Sequence, residues 1–239
     1  MARVTLSKSD KTMKATNIKF NEWSQKWEAA RSIRDAEAVV RLWRTPAPSN
    51  WQRGSNSWTG KLGYRNNNKE GPKGEQIVEK QLLDGFLHKV VNGGEQHPFL
   101  AVYQKMPLAN QQQNQRIADA LGLLLHQEAI HPVMIEVKVG ANDCWFALVE
   151  CLLQVRMGRA NGANIEAFLK TRNLPHSKAI WGMVLAPSVY FEKGENDGTM
   201  EHCRQLLSLL KEKTEARIAF ASFDRLDKHS IRVRESNWS

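Results

Sequence analysis

Three side chains set the chemistry of this chain: Asp119, inside the apolar run RIADALGLLL (116–125), and Glu136 and Lys138, inside PVMIEVKV (132–139). If both runs are strands, alternation puts Glu136 and Lys138 on one face and turns Ile135, Val137 and Val139 to the other. Asp119 sits among Ile117, Ala118, Ala120 and Leu121, where a carboxylate is costly unless something binds it. A hairpin of the two strands brings Asp119 beside Glu136. Two close carboxylates repel, and a divalent cation removes that penalty. Oxygen ligands of this kind suit Mg²⁺ or Mn²⁺. Such an ion lowers the pKa of a bound water and stabilises charge on a scissile phosphate. Lys138 is then placed to orient the attacking water or to stabilise developing negative charge. The plainer alternative is a cross-strand Glu136–Lys138 salt pair on a solvated sheet face.

These residues need a frame, and hydrophobic periodicity supplies one. From Ile18 to about Trp43, apolar residues recur at spacings of three and four, predicting a helix with one break near Ser32; Pro46 and Pro48 end it. Residues 46–73, rich in Gly, Asn, Ser and Pro, predict a long loop or linker. Gly74 to about Lys89 predicts a helix. Strands are predicted at 98–106, 116–125 and 132–139, the first two separated by the polar run Asn110–Gln115, and the last two joined by a turn holding His126 and His131. A helix capped by Asp143 runs to Arg159, followed by a strand at 179–186, a helix at 199–213 and a strand at 216–223. No internal repeat is present. The expectation is a basic, Trp-rich helical extension and linker over 1–73 and an α/β domain over 74–239.

Charge is unevenly spread. Of the net +9, residues 1–70 hold 14 Lys and Arg against 6 Asp and Glu, and the remainder is nearly balanced. The same segment holds Trp23, Trp27, Trp43, Trp51 and Trp58. Basic side chains laced with aromatics suit a nucleic acid, the cations neutralising phosphates and the rings stacking on bases. Equally, the tryptophans can pack on the main domain while the charges face water. Lys61 and Arg65 in the loop are candidate nucleic-acid contacts. Three cysteines, Cys144, Cys151 and Cys203, are too few and too dispersed for a zinc knuckle or disulfide framework and read as small buried apolar residues. The amino terminus lacks a secretory apolar stretch, and no run is long enough to span a bilayer. A cytoplasmic protein is expected.

Asp119, then sixteen residues, then Glu136-Val137-Lys138, in a helix–three-strand–helix–strand order over roughly 74–190, resembles the PD-(D/E)xK nuclease superfamily. The resemblance implies a restriction-endonuclease-like fold, with a mixed central sheet flanked by helices. It implies metal binding by Asp119, Glu136 and the backbone carbonyl of Val137, with Lys138 assisting the water. Such nucleases often add a Glu from the first helix, for which Glu75 is preferred and Glu79 is the alternative. Many also add a polar residue from the helix after the Lys strand, Gln154 here, with Glu150 the alternative one turn earlier. Ala118 stands where the motif's name has Pro, and the first 70 residues match nothing in the family.

The expected function is Mg²⁺- or Mn²⁺-dependent hydrolysis of DNA phosphodiesters, DNA being favoured over RNA. An endonuclease of restriction, defence or repair is expected, with pairing into a homodimer implied for double-strand cutting. The alternative is a catalytically inactive nucleic-acid-binding or assembly protein on the same fold. Other signals point to less. His126 and His131 lack the helical register of a zinc hydrolase and read as surface residues. The glycines at 92–94 and 158–162 form no phosphate loop, and Ser188 has no His and Asp partners at a recognisable spacing. Arg156 and Arg159 read either as phosphate-backbone contacts or, preferably, as solvated helix-end cations.

Overall fold

The computed structural model describes residues 20–48, 77, 78, 80, 81, 99–107, 117–140, 143–171, 173, 174, 176–225, 231–233, 237 and 238. The predicted helix at 74–89 is represented by residues 77, 78, 80 and 81, all helical, with Val78 and Gln81 buried. Glu75, Glu79, Lys61, Arg65, Trp51, Trp58 and the run Asn110–Gln115 lie outside the described residues.

The amino-terminal helical period resolves into two helices, α1 (Phe20–Ile33) and α2 (Ala36–Arg44). The break falls two residues beyond Ser32. Arg34 turns into the left-handed region at φ 44°, and Asp35 caps α2 by accepting from the Ala38 N–H at 3.0 Å. Trp23, Trp27 and Ala30, at helical spacing on α1, and Ala36, Val39, Val40 and Trp43 on α2 are buried in the main hydrophobic core. Of the two readings of the tryptophan-rich segment, packing is therefore what these three rings do.

The sheet runs in the order β1 (Phe99–Pro107), β2 (Ile117–His126), β3 (Ala129–Val137), β4 (Trp181–Pro187), β5 (Ile218–Arg225), β6 (Ile231–Val233), with β7 (Asn237–Trp238) also paired to β5. β1, β2 and β3 pair antiparallel, β3, β4 and β5 pair parallel, and β6 and β7 return antiparallel. This is a mixed α/β architecture with helices flanking a mixed sheet. The predicted elements are present, with ends shifted by one or two residues. Two short helices escaped the sequence reading, α4 (Gly162–Lys170) and α5 (Ser188–Asn196). They flank α3 (Cys144–Ala160) and α6 (Thr199–Lys213), and each is only nine residues long, too short for periodicity to stand out.

The β2–β3 turn is tighter than expected. His126 pairs with Ala129, so only Gln127 and Glu128 form the turn, at φ 47° and 65°. Both central residues take the positive φ that a two-residue hairpin turn of this hand requires, although neither is glycine. His126 and His131 therefore lie on strands. His131 stacks on Trp181, ring centroids 3.9 Å apart, and its Nδ1 lies 2.8 Å from the Ser177 Oγ. Burial, then His126, lowers its pKa, so it is not a plain surface histidine.

Helix α3 carries the parallel crossover from β3 to β4 and packs on both strands, with α1 and α6 against it. Its approach is close: a Cβ on Gly182 of β4 would meet Val155 Cγ2 at 2.7 Å and Cys151 Sγ at 2.8 Å. All three cysteines are free and buried, as expected. Arg156 and Arg159 are not solvated cations. Each is partly buried; Arg156 donates to the Thr45 carbonyl at 3.1 Å, and Arg159 donates to the Glu215 carbonyl at 2.8 Å and lies over the Trp43 ring. They fasten α3 to the end of α2 and to the strand-leading segment before β5.

Candidate active site

The β2–β3 register pairs Ala120 with Ile135, and one further step places Asp119 opposite Glu136. At this point the backbone ladder gives way to a side chain: Asp119 Oδ2 accepts from the Val137 N–H at 2.9 Å. Part of what makes a carboxylate tolerable within an apolar strand is therefore a backbone donor. The next residue's N–H, that of Lys138, donates to the Leu185 carbonyl at 2.9 Å on β4. Strand β3 is thus pinned from both sides where it presents Glu136 and Lys138.

Glu136 and Lys138 share a face, as alternation requires, but that face is not solvated. It is the face covered by α3, and the two side chains are 3% and 7% exposed. The Lys138 ammonium pairs with Glu136 Oε1 and reaches Glu150 Oε2, on α3, at 3.2 Å. One turn further along α3, Gln154 donates through Nε2 to Glu136 Oε2. Gln154 and Glu150, weighed as alternatives from the sequence, thus both join the constellation, because positions four apart lie on one helix face.

A residue from outside the expected set completes the group. Arg31 on α1 pairs with Glu28, one turn back, and lies 3.3 Å from Glu150 Oε1, its guanidinium 4.2 Å above the Phe146 ring. Its side chain is 11% exposed. No sequence signal singles it out among the cations of the first 70 residues, since it meets Glu150 only through the packing of α1 on α3.

Burial, then the charges of Asp119 and Glu150, push the Glu136 carboxyl well above the ordinary carboxylate range, and Lys138 opposes them. A second cation on this face would relieve what remains. The donor set agrees in kind with a hard divalent ion: carboxylate oxygens, together with the Gln154 Oε1, a buried acceptor with no hydrogen-bond partner. Among the described residues no three His, Cys, Asp or Glu side chains group as a metal-ligand set. That suits an ion such as Mg²⁺, which takes one or two carboxylates and keeps several waters. Beyond the carboxyl ends of β3, β4 and β5, next in sequence to Lys138, lies a cleft of about 540 Å³ lined by Val139, Pro187, Ser188, Val189, Phe223 and Asp224. Ligands of open sheets with parallel strands commonly sit at that end.

Comparison with protein-family models, curated proteins and solved structures finds no match. Among the described residues no helix is long and apolar enough to cross a membrane.

Proposed function

We propose that this chain is a divalent-metal-dependent nuclease of the restriction-endonuclease-like kind, hydrolysing phosphodiester bonds of DNA. The observation that carries the reading is Glu136: a buried carboxyl whose neighbours include two further carboxylates, one ammonium and one amide with a spare acceptor. Asp119 and Glu136, with the Val137 carbonyl, would hold the metal. When bound, Mg²⁺ or Mn²⁺ would supply Lewis-acid activation of water and offset charge on the phosphate. Gln154 orients Glu136 through its amide and offers its oxygen as an acceptor to a water in the site. Lys138, held between Glu136 and Glu150, brings a positive charge to where a pentacovalent phosphate accumulates negative charge. The cleft at the strand ends gives a sugar-phosphate chain a place to lie. Action as an endonuclease in restriction, defence or repair, and pairing into a homodimer, belong to the same proposal.

One observation favours a second reading, a non-catalytic nucleic-acid-binding or assembly protein. The ion pairs of Lys138 with Glu136 and Glu150 are already mutually satisfied and largely buried, as in a structural network that holds α3 to β3.

Incubating the chain with circular DNA, linear DNA and RNA, each with Mg²⁺ and with EDTA, separates the two. Nicked or linearised circles only with Mg²⁺ support the nuclease; intact substrates in every arm, despite measurable DNA binding, support the second reading.

A further inference from the structure

The Lys138 ammonium has two carboxylate partners, Glu136 on its own strand and Glu150 on α3, and Glu150 in turn has two cationic partners, Lys138 and Arg31. Charge is shared along this chain: whatever Glu150 gives to Arg31 it does not give to Lys138, and whatever Lys138 does not give to Glu150 it gives to Glu136. The four groups are mostly buried, Glu150 being the most open at 21%, so solvent screens these couplings weakly. Resting on the metal-site reading above, an ion can reach Glu136 only as the ammonium yields its place there, and Glu150 is where the ammonium can go.

We infer that Arg31 is a positioning residue of the site: by holding Glu150, it sets how Lys138 is divided between Glu150 and Glu136, and thereby how readily Glu136 accepts a divalent cation. The amino-terminal helix α1 then belongs to the site functionally, and any partner that shifts α1 on α3 alters metal occupancy without touching a metal ligand.

The geometry assigns opposite signs to two neighbouring substitutions. In Arg31→Ala, Glu150 turns its whole charge on Lys138 and draws it off Glu136, so Mn²⁺ binds more tightly, by about three- to tenfold, since each tenfold corresponds to a single modest ion-pair energy. In Glu150→Gln, Lys138 has only Glu136, and Mn²⁺ binds more weakly by a similar factor. Arg31→Lys, which keeps the cation, restores the original affinity at least in part. A merely structural role would weaken binding in all three.

The test is Mn²⁺ titration of the full chain and these variants, followed by calorimetry without nucleic acid, at low salt and at about 1 M salt, where the Debye length is ~3 Å and long-range charge effects fade. Opposite shifts that persist at high salt support the inference; shifts of the same sign, or shifts that vanish at high salt, overturn it. A metal-free readout accompanies it: the ¹⁵Nζ resonance of Lys138 should move in Arg31→Ala and return towards its original position in Arg31→Lys. If the unaltered chain binds no Mn²⁺ while this resonance responds, the metal reading falls and the positioning role of Arg31 stands. If the resonance ignores Arg31, the positioning role falls, whatever the metal does.

Discussion

Asp119 and Glu136 face each other across a hairpin, yet each is held differently, and the difference decides which substitution is informative. Asp119 accepts from a backbone N–H, a bond that Asn can keep through its own oxygen. Asp119→Asn should therefore fold normally by circular dichroism while losing about 100-fold or more in cleavage; retained cleavage would remove Asp119 from the site. Lys138→Ala is less clean than the sequence alone suggests, because it leaves Glu136 buried without its ammonium, at a cost of about 3 kcal/mol or more. Glu136 also makes a pH prediction. Its raised pKa means that the stabilising share of the protonated carboxyl is full below the ordinary value of 4.5 and is lost as pH rises through the raised one. In EDTA, Glu136→Gln should melt increasingly above the unaltered chain as pH rises from 4.5. A difference in Tm that is flat with pH would contradict this.

Among the elements, the hairpin and α3 do the positioning. The β2–β3 turn sets the register that brings Asp119 opposite Glu136, and it does so with Gln127 and Glu128 in left-handed conformations. Replacing them with Asn-Gly, the pair suited to this turn, should stabilise the chain by about 1 kcal/mol, read as a higher Tm with cleavage unchanged. Helix α3 brings Glu150 and Gln154 to the same face, and Gly182 permits its close approach to β4. Gly182→Ala must push Val155 and Cys151 aside and should cost about 1–3 kcal/mol in chemical denaturation. An unchanged midpoint would mean that the α3–β4 contact gives more easily than the packing implies.

Taken whole, the molecule has its amino-terminal helices in the same hydrophobic core as its sheet. They are also bonded to it at several points: Trp145 Nε1 donates to the Ala30 carbonyl at 3.2 Å, Arg34 pairs with Asp143 at 2.8 Å, and Lys213 pairs with Glu37 at 2.7 Å. Truncating a buried Trp to Ala costs about 3–5 kcal/mol, and α1 and α2 contribute three. A chain lacking residues 1–45 should therefore lose its cooperative melting transition, whereas the full chain should show coincident transitions by far-ultraviolet circular dichroism and tryptophan fluorescence. Cooperative melting of the shortened chain would mark α1 and α2 as a separable appendage.

Most of the architecture could be read without coordinates, because strands and long helices write their periods into the pattern of apolar residues. The pairing of Asp119 with Glu136, and the common face of Glu136 and Lys138, likewise follow from alternation within two adjacent strands joined by a short turn. The nine-residue helices α4 and α5 lack enough turns to establish a period. Tertiary packing alone decided that the Glu136–Lys138 face lies beneath α3 instead of in solvent, that Arg156 and Arg159 bind backbone carbonyls, and that Arg31 meets Glu150. Local sequence dictates where a side chain points from its own element. Which distant element covers that side chain depends on how the helices settle on the sheet, through contacts more than a hundred residues apart in the chain.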